Sequence, residues 1–197
     1  MRVRAGRILV VDLELTMPGD GLAPGFIPEI VEIGVAELLL SDVTPRLGRL
    51  ASWLARPRKG SVTTDFTALT GISEAELRRA PPLGQVLSSC AKMFGRSGHA
   101  WAAWGGDDQP LAEACQMAGQ PPLFGGPFYD IGFLYGAFHG GRAGVGLRQA
   151  MQEIDLKFEG RQHRAGPDAM NAARVLGAMI EHARTMSSAE IRPGRGI

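Results

Sequence analysis

Two carboxylates occur two residues apart near the start of the chain. Asp12 and Glu14 lie at the end of an apolar, β-branched run from Arg7 to Leu13 (RILVVDL). Residues i and i+2 of a strand point to the same face, so both carboxylates would project together. Two adjacent like charges beside a buried strand are unfavourable without a cation, and Mg²⁺ and Mn²⁺ prefer such oxygen ligands. Alternatively, the strand has already ended and both acids are solvated.

Further acidic residues stand where helices are predicted to begin. Asp107 and Asp108 follow a short apolar run and open a segment with helical spacing. Aspartate is a favoured N-cap, so capping is the alternative to a ligand role. Asp168 follows a proline in the first turn of the last predicted helix, where both residue types also suit a helix start. His163, five residues upstream, is either a loop residue or a proton acceptor suited to neutral pH.

The predicted elements that position these residues alternate between strand and helix. Strands are predicted at 7–13, 29–40, 50–55, 100–104 and 124–129. The helical part is predicted to begin near residue 64, and a capping box at 73–76 predicts the start of a short helix. Further helices are predicted at 83–94, 108–117, 130–138, 146–154 and 167–182. This order predicts an α/β domain with a mixed sheet.

Composition limits the class of protein without choosing a function. A chain of 197 residues with 45% hydrophobic and 21% charged residues suits one soluble domain. No apolar run is long enough to span a membrane, so a cytoplasmic location is expected. A net charge of +1 does not indicate nucleic-acid binding, but metal ions could supply positive charge at a phosphate. Cys90 and Cys115 lack zinc-site spacing and are expected to be buried thiols.

Five segments between Ile8 and about Ile180 carry a resemblance to one nuclease family. They are 11–16 (VDLELT), 26–34 (FIPEIVEIG), 64–73 (TDFTALTGIS), 104–108 (WGGDD) and 158–171 (FEGRQHRAGPDAMN). The sequence resembles the DEDDh 3′→5′ exonucleases. It is most similar to the branch that degrades histone messenger RNA, small interfering RNA and ribosomal RNA 3′ ends, together with its bacterial relatives.

The resemblance implies a ribonuclease H-like fold, in which a mixed five-stranded sheet is flanked by helices. The exonuclease domain is expected at residues 1–186, and residues 187–197 are expected to form a flexible tail because chain ends are often poorly ordered. The same comparison leaves the oligomeric state open, a homodimer included.

The resemblance also assigns roles to the acidic residues. Asp12, Glu14, Asp108 and Asp168 would hold two divalent cations, Mg²⁺ or Mn²⁺, and His163 would act as general base. The products would be nucleoside 5′-monophosphates. Relatives usually have an aromatic residue just before the second aspartate, and here that position holds Asp107, which is expected only to cap or to be solvated.

Further assignments concern residues that contact the substrate. The resemblance places Leu15, Thr16, Met17, Leu69 and Thr70 against the terminal nucleotide, although a buried Leu-Thr pair at a helix end is also common. Two arginines that flank the histidine, at positions 161 and 164, are expected to contact the phosphate backbone.

Three alternatives remain open at this point. Single-stranded RNA is the favoured substrate through the branch resemblance, and DNA is the alternative within the enzymes. A catalytically silent nucleic-acid-binding protein on the same fold is the alternative outside them. An unrelated α/β domain with coincidental acids is the third.

Overall fold

Five strands form the central sheet of the protein. The computed structural model describes residues 6–18, 26–41, 44–58, 62–95 and 98–190. The strands are β1 (Gly6–Leu15), β2 (Ile30–Leu40), β3 (Arg46–Leu54), β4 (Trp101–Ala103) and β5 (Phe128–Asp130). Their order is β3-β2-β1-β4-β5; β1, β2 and β3 pair antiparallel, whereas β4 pairs parallel with both β1 and β5. The expected mixed, five-stranded α/β sheet is therefore confirmed.

Seven helices are assigned in the described ranges. They are α1 (Thr64–Thr70), α2 (Glu74–Arg79), α3 (Leu83–Phe94), α4 (Asp108–Met117), α5 (Ile131–Phe138), α6 (Leu147–Glu153) and α7 (Ala165–Glu190). The predicted capping box starts α2, since the Ser73 hydroxyl accepts from the Glu76 amide at 3.2 Å and the Glu76 carboxylate accepts from the Ser73 amide at 2.9 Å.

Alternation along β1 separates its two faces. Leu9, Val11 and Leu13 pack against α3 and α4 in one core cluster, which also buries both cysteines. Val10 packs against α7 in a second cluster. Asp12 and Glu14 continue the register of Val10, so the two-residue period of a strand places them on the α7 side.

Close packing of α7 on β2 completes this side of the sheet. Gly34 is the cross-strand partner of Asp12, and a Cβ atom at Gly34 would overlap the backbone carbonyl of Ala165. Absence of a side chain therefore allows the first turn of α7 to lie directly on β2. That turn carries Asp168, which brings it near the carboxylates of β1.

Several element boundaries differ from the expected ones. β1 continues through Leu15, so Asp12 and Glu14 lie within a strand rather than after it. β3 begins at Arg46, four residues earlier than expected. Its first half is exposed and lacks an apolar alternation, so the sequence pattern did not predict it. β5 is limited to Phe128–Asp130, since Phe124 instead packs into the core beside Trp101.

The last helix is longer than predicted at both ends. It begins at Ala165, so Pro167 is its third residue rather than its first. It continues to Glu190, beyond the expected domain boundary at 186, and residues 191–197 lie outside the described residues. Among the described ranges, no helix combines the length and hydropathy needed to cross a membrane.

Candidate metal centre

Three carboxylates meet at the carboxyl end of β1. Asp12, Glu14 and Asp168 each present an oxygen atom, and these atoms lie within 4.8 Å of one another. Asp12 and Glu14 are partly buried, whereas Asp168 is buried, with 7% of its surface exposed. The fold thus brings together three of the four ligands expected from the sequence.

Burial and mutual repulsion act against charge on these acids. Burial, with help from Asp168, Glu32 and Asp107, raises the pKa of Glu14 to about 8. Burial is also the main reason that the pKa of Asp12 lies well above its usual range, and it raises the pKa of Asp168 to about 6. A carboxylate cluster of this kind needs a compensating cation to be fully ionised.

The surroundings of Asp168 fit a cation ligand. Its Oδ2 accepts a hydrogen bond from the Arg164 amide at 3.2 Å. Its Oδ1 is buried and has no hydrogen-bond partner among the described residues. Buried carboxylate oxygens are normally paired, so this orphaned atom, together with an all-oxygen donor set, fits a hard divalent ion such as Mg²⁺ or Mn²⁺.

Two neighbouring aspartates, Asp107 and Asp108, are candidates for the fourth acidic position. Asp107 occupies the N-cap position of α4, but its side chain makes no capping hydrogen bond in the described chain. Instead its carboxylate lies close to the backbone amide of Leu13, and its charge raises the pKa of Asp12 and Glu14. Burial in turn raises the pKa of Asp107 itself to about 7.

Like Asp107, Asp108, the residue expected at this position, lies outside the cluster of three described acids. It is the first residue of α4, one position further from β1. The last pair in the ladder between β1 and β4 is Val11 with Ala103, so the next amide of β1 on that side is left for a side chain beyond β4. Asp107 takes it.

One sequence signal favours Asp107. Leu111 and Cys115, which are buried, follow Asp107 by four and eight residues, the spacing of one helix face. This face packs toward the core that contains β1.

Asp130 supports the turn that carries Asp107. Its Oδ1 accepts from the Gly105 amide at 3.1 Å and from the Phe133 amide at 3.0 Å. The first bond holds the turn before Asp107, and the second caps α5. The side chain therefore links two elements.

His163 lies beside the cluster, as expected. Its backbone is left-handed, with φ of 61°, and its side chain is partly buried. The His163 amide and imidazole lie close to Asp168, and both act against the effect of burial on its pKa. Asn171 holds the chain upstream of His163 at Glu159. Its Oδ1 accepts from the Glu159 amide at 3.2 Å, and its Nδ2 donates to the Glu159 carbonyl at 2.9 Å.

The three residues after Glu14 differ in their contacts and exposure. Thr16 exchanges two hydrogen bonds with Glu29, one from its amide and one to its hydroxyl, each at 2.9 Å. Its hydroxyl thus holds the start of β2. Leu15 is partly packed against the core, whereas Met17 is exposed and available to a ligand.

The expected Leu69-Thr70 pair is divided between surface and core. Leu69 is exposed at the end of α1. Thr70 is buried, and its hydroxyl donates to the Phe66 carbonyl at 2.9 Å and accepts from the Ile72 amide at 3.0 Å. The geometry does not support a substrate contact by the Thr70 side chain, because its hydrogen bonds end the helix.

A cleft of about 910 Å³ lies on the side of the sheet that carries α3 and α4, and its lining does not include Asp12, Glu14, Asp107 or Asp168. Its lining includes Leu15 and Gly106, the sequence neighbours of Glu14 and Asp107. Its walls combine apolar side chains with the guanidinium groups of Arg56 and Arg58. Since Glu29 and Glu113 also line it, the cleft combines apolar surface with charges of both signs.

Comparison with known proteins gives consistent results. The chain matches the exonuclease family (RNase_T) over residues 9–176. It is 26% identical over 200 residues to ERI1 exoribonuclease 2 of Mus musculus, covering 88% of this chain and 28% of that protein. It is 27% identical over 185 residues to 3′-5′ exoribonuclease 1 of Homo sapiens, covering 88% of this chain and 52% of that protein. The chain thus spans about half or less of the length of these relatives.

A solved structure supports the fold. The nuclease domain of 3′hExo, described as a DEDDh family member bound to rAMP, superposes with a TM-score of 0.73 at 23% identity. The match covers 90% of this chain and 93% of that one. The family match covers most of the described fold, and the solved structure has the same fold. This chain therefore belongs to the exonuclease family, as its resemblance to the DEDDh exonucleases implied.

Proposed function

We propose that this chain is a metal-dependent 3′→5′ exonuclease that hydrolyses the terminal phosphodiester bond of single-stranded RNA and releases nucleoside 5′-monophosphates. The observation that carries the proposal is the meeting of Asp12, Glu14 and Asp168 in a member of the exonuclease family. Choice of RNA rests on the two curated relatives, which are named as exoribonucleases.

Four carboxylates are proposed to hold two divalent cations. Asp12, Glu14 and Asp168 supply the oxygens that already converge, and Asp107 adds a fourth from the start of α4. Asp107 replaces Asp108 in this role because its charge acts on Asp12 and Glu14. Bound Mg²⁺ or Mn²⁺ would supply Lewis-acid stabilisation of the phosphate and lower the pKa of an attacking water.

The remaining residues have separate tasks. His163 is proposed to accept the proton of that water, since it lies beside Asp168 and its side chain is only partly buried. Met17 and Leu69, both exposed, offer apolar surface to the terminal nucleotide, together with Leu15 at the inner wall of the cleft.

A direct assay tests the proposal. Purified protein is incubated with 5′-labelled single-stranded RNA, or with DNA of the same sequence, in Mn²⁺, Mg²⁺ or EDTA, beside the Asp12→Asn variant. We expect a metal-dependent ladder that shortens from the 3′ end, faster on RNA and absent in the variant. Faster shortening of DNA would change the substrate. No cleavage of either polymer would overturn the enzymatic function in favour of a binding role.

A further inference from the structure

Glu32 is a buried carboxylate beside the candidate metal centre that none of the roles above uses. It lies on β2 directly across the ladder from Glu14, with 1% of its surface exposed. Three donors reach its two oxygens: Nε of Arg164 at 2.9 Å, Nη2 of Arg164 at 3.0 Å, and the backbone amide of Ala165 at 3.1 Å.

These three donors belong to consecutive residues between His163 and Asp168. A two-pronged guanidinium–carboxylate pair is both stronger and more directional than a single hydrogen bond. Since breaking a buried pair leaves an uncompensated charge, the segment cannot leave β2 without a large penalty. Glu32 therefore fixes the chain immediately after His163 to the central sheet.

Arg164 is held at both ends. Its guanidinium is bound by Glu32, while its amide donates to Oδ2 of Asp168 at 3.2 Å. The preceding residue, His163, has a left-handed backbone, which non-glycine residues keep only when their surroundings impose it. The pair thus supplies a constraint on the backbone that orients the imidazole.

This arrangement differs from the phosphate contact expected for Arg164. Its side chain is 29% exposed and is turned onto Glu32. Arg164 also offsets the local negative charge, since it lowers the pKa of Glu14 while Glu32 raises it. The guanidinium is consequently engaged inside the protein rather than available to a ligand.

We propose that the ion pair between Glu32 and Arg164 is a positioning element for His163, which acts on turnover through the imidazole and not through substrate contact. This inference rests on the proposed exonuclease function for its kinetic consequence. Its structural part, a fixed segment between His163 and Asp168, is independent of activity.

Kinetics test the consequence with conservative variants. Arg164→Lys keeps the charge but loses the two-pronged geometry, and we expect kcat to fall roughly 10- to 100-fold with KM within about threefold. In a His163→Ala background the same change should alter kcat less than about twofold, because its effect passes through the imidazole. Arg78→Lys, in an exposed pair with Glu74, is the matched control and should leave kcat unchanged.

Two kinetic outcomes would overturn the proposal. A rise in KM at constant kcat would make Arg164 a phosphate contact. An equal loss of kcat with and without the imidazole would show that the pair acts independently of His163.

Hydrogen exchange separates this inference from the proposed function. Amide exchange is measured by mass spectrometry on the metal-free protein, for wild type, Glu32→Gln and Arg164→Lys. We expect peptides covering 163–168 to exchange at least about 10-fold faster in both variants, with the rest of α7 unchanged. Unchanged exchange in the Arg164→Lys protein would overturn the positioning element, even if Glu32→Gln does not fold. Absence of nuclease activity in wild type would instead defeat the proposed function alone.

Discussion

At the residue scale, the decisive feature is the difference between two neighbouring aspartates. Asp107 reaches the amide of Leu13 and shares the electrostatic field of Asp12. Asp108 is the first residue of α4, one position further from β1. The two residues have the same side chain, so an exchange of each for asparagine changes charge alone and compares their positions directly.

Asp107→Asn should reduce kcat/KM more than about 100-fold, since even outer-shell partners of metal ligands are worth 10- to 100-fold. It should also weaken Mn²⁺ binding, measured by calorimetry. Asp108→Asn is the matched control and should stay within about threefold of wild type in both assays. The reverse ranking would restore Asp108 as the ligand.

His163 is expected to serve the chemical step rather than metal binding. His163→Ala should lower the single-turnover rate by roughly 10²–10⁴-fold. Mn²⁺ affinity should be preserved, because the carboxylates of Asp12, Glu14 and Asp168 remain in place. A variant with near-wild-type turnover would remove His163 from the role of base.

At the element scale, the contact between β2 and the start of α7 positions the site. Gly34 lies opposite Asp12 in the ladder and beneath Ala165. Any side chain there would move the first turn of α7 away from the sheet. Because Asp168 and His163 belong to this region, a packing change alone should disrupt the centre.

Gly34→Ala should destabilise the fold by about 1–3 kcal/mol in urea unfolding, because the new methyl group overlaps backbone atoms. Activity and Mn²⁺ binding should fall with it. Gly177→Ala, in the interior of α7, meets Leu38 at an ordinary 3.5 Å and should be neutral or stabilising. Equal effects at the two glycines would mean that the close approach at β2 does not matter.

At the scale of the whole molecule, the sheet order gathers distant parts of the chain. Parallel pairing of β1 with β4 brings the turn after β4 beside the end of β1, where Asp107 meets Leu13. Helix α7 packs on the sheet and contributes Asp168 from the last part of the domain. The acids are consequently concentrated at one end of the sheet, and this concentration should affect stability as a function of pH.

Stability of the metal-free protein should fall as pH rises from about 4.5 to 8. Burial raises the pKa of Glu14 to about 8 and that of Asp107 to about 7, so the folded chain holds these protons at pH values where the unfolded chain releases them. Thermal melts in EDTA would show this decline. Saturating Mn²⁺ should raise Tm more at pH 8 than at pH 5.5, since ligands must lose their protons to bind.

The Asp12→Asn variant provides the control for that experiment. It removes a central carboxylate of the cluster, so its Tm should respond little to Mn²⁺ at either pH. A wild-type protein whose melting temperature ignores both pH and Mn²⁺ would contradict the metal centre itself.

Sequence patterns alone determined the fold class and the position of most elements. Alternation in β1 and the apolar spacing of α3 and α4 depend on local periodicity, which the chain displays directly. Asp12 and Glu14 could be paired because a strand places them on one face. The family resemblance then linked them to Asp168, which no local pattern connects with β1.

Only the tertiary structure distinguished residues whose types suit two roles. An aspartate at a helix start can cap or bind a cation, and Asp107 was separated from Asp108 by its contact with Leu13. In the same way, burial assigned Thr70 to the end of α1, and Glu32 turned Arg164 away from solvent. These choices depend on distances between segments far apart in sequence. Local propensity does not contain those distances, because packing of α7 and β4 on the sheet sets them.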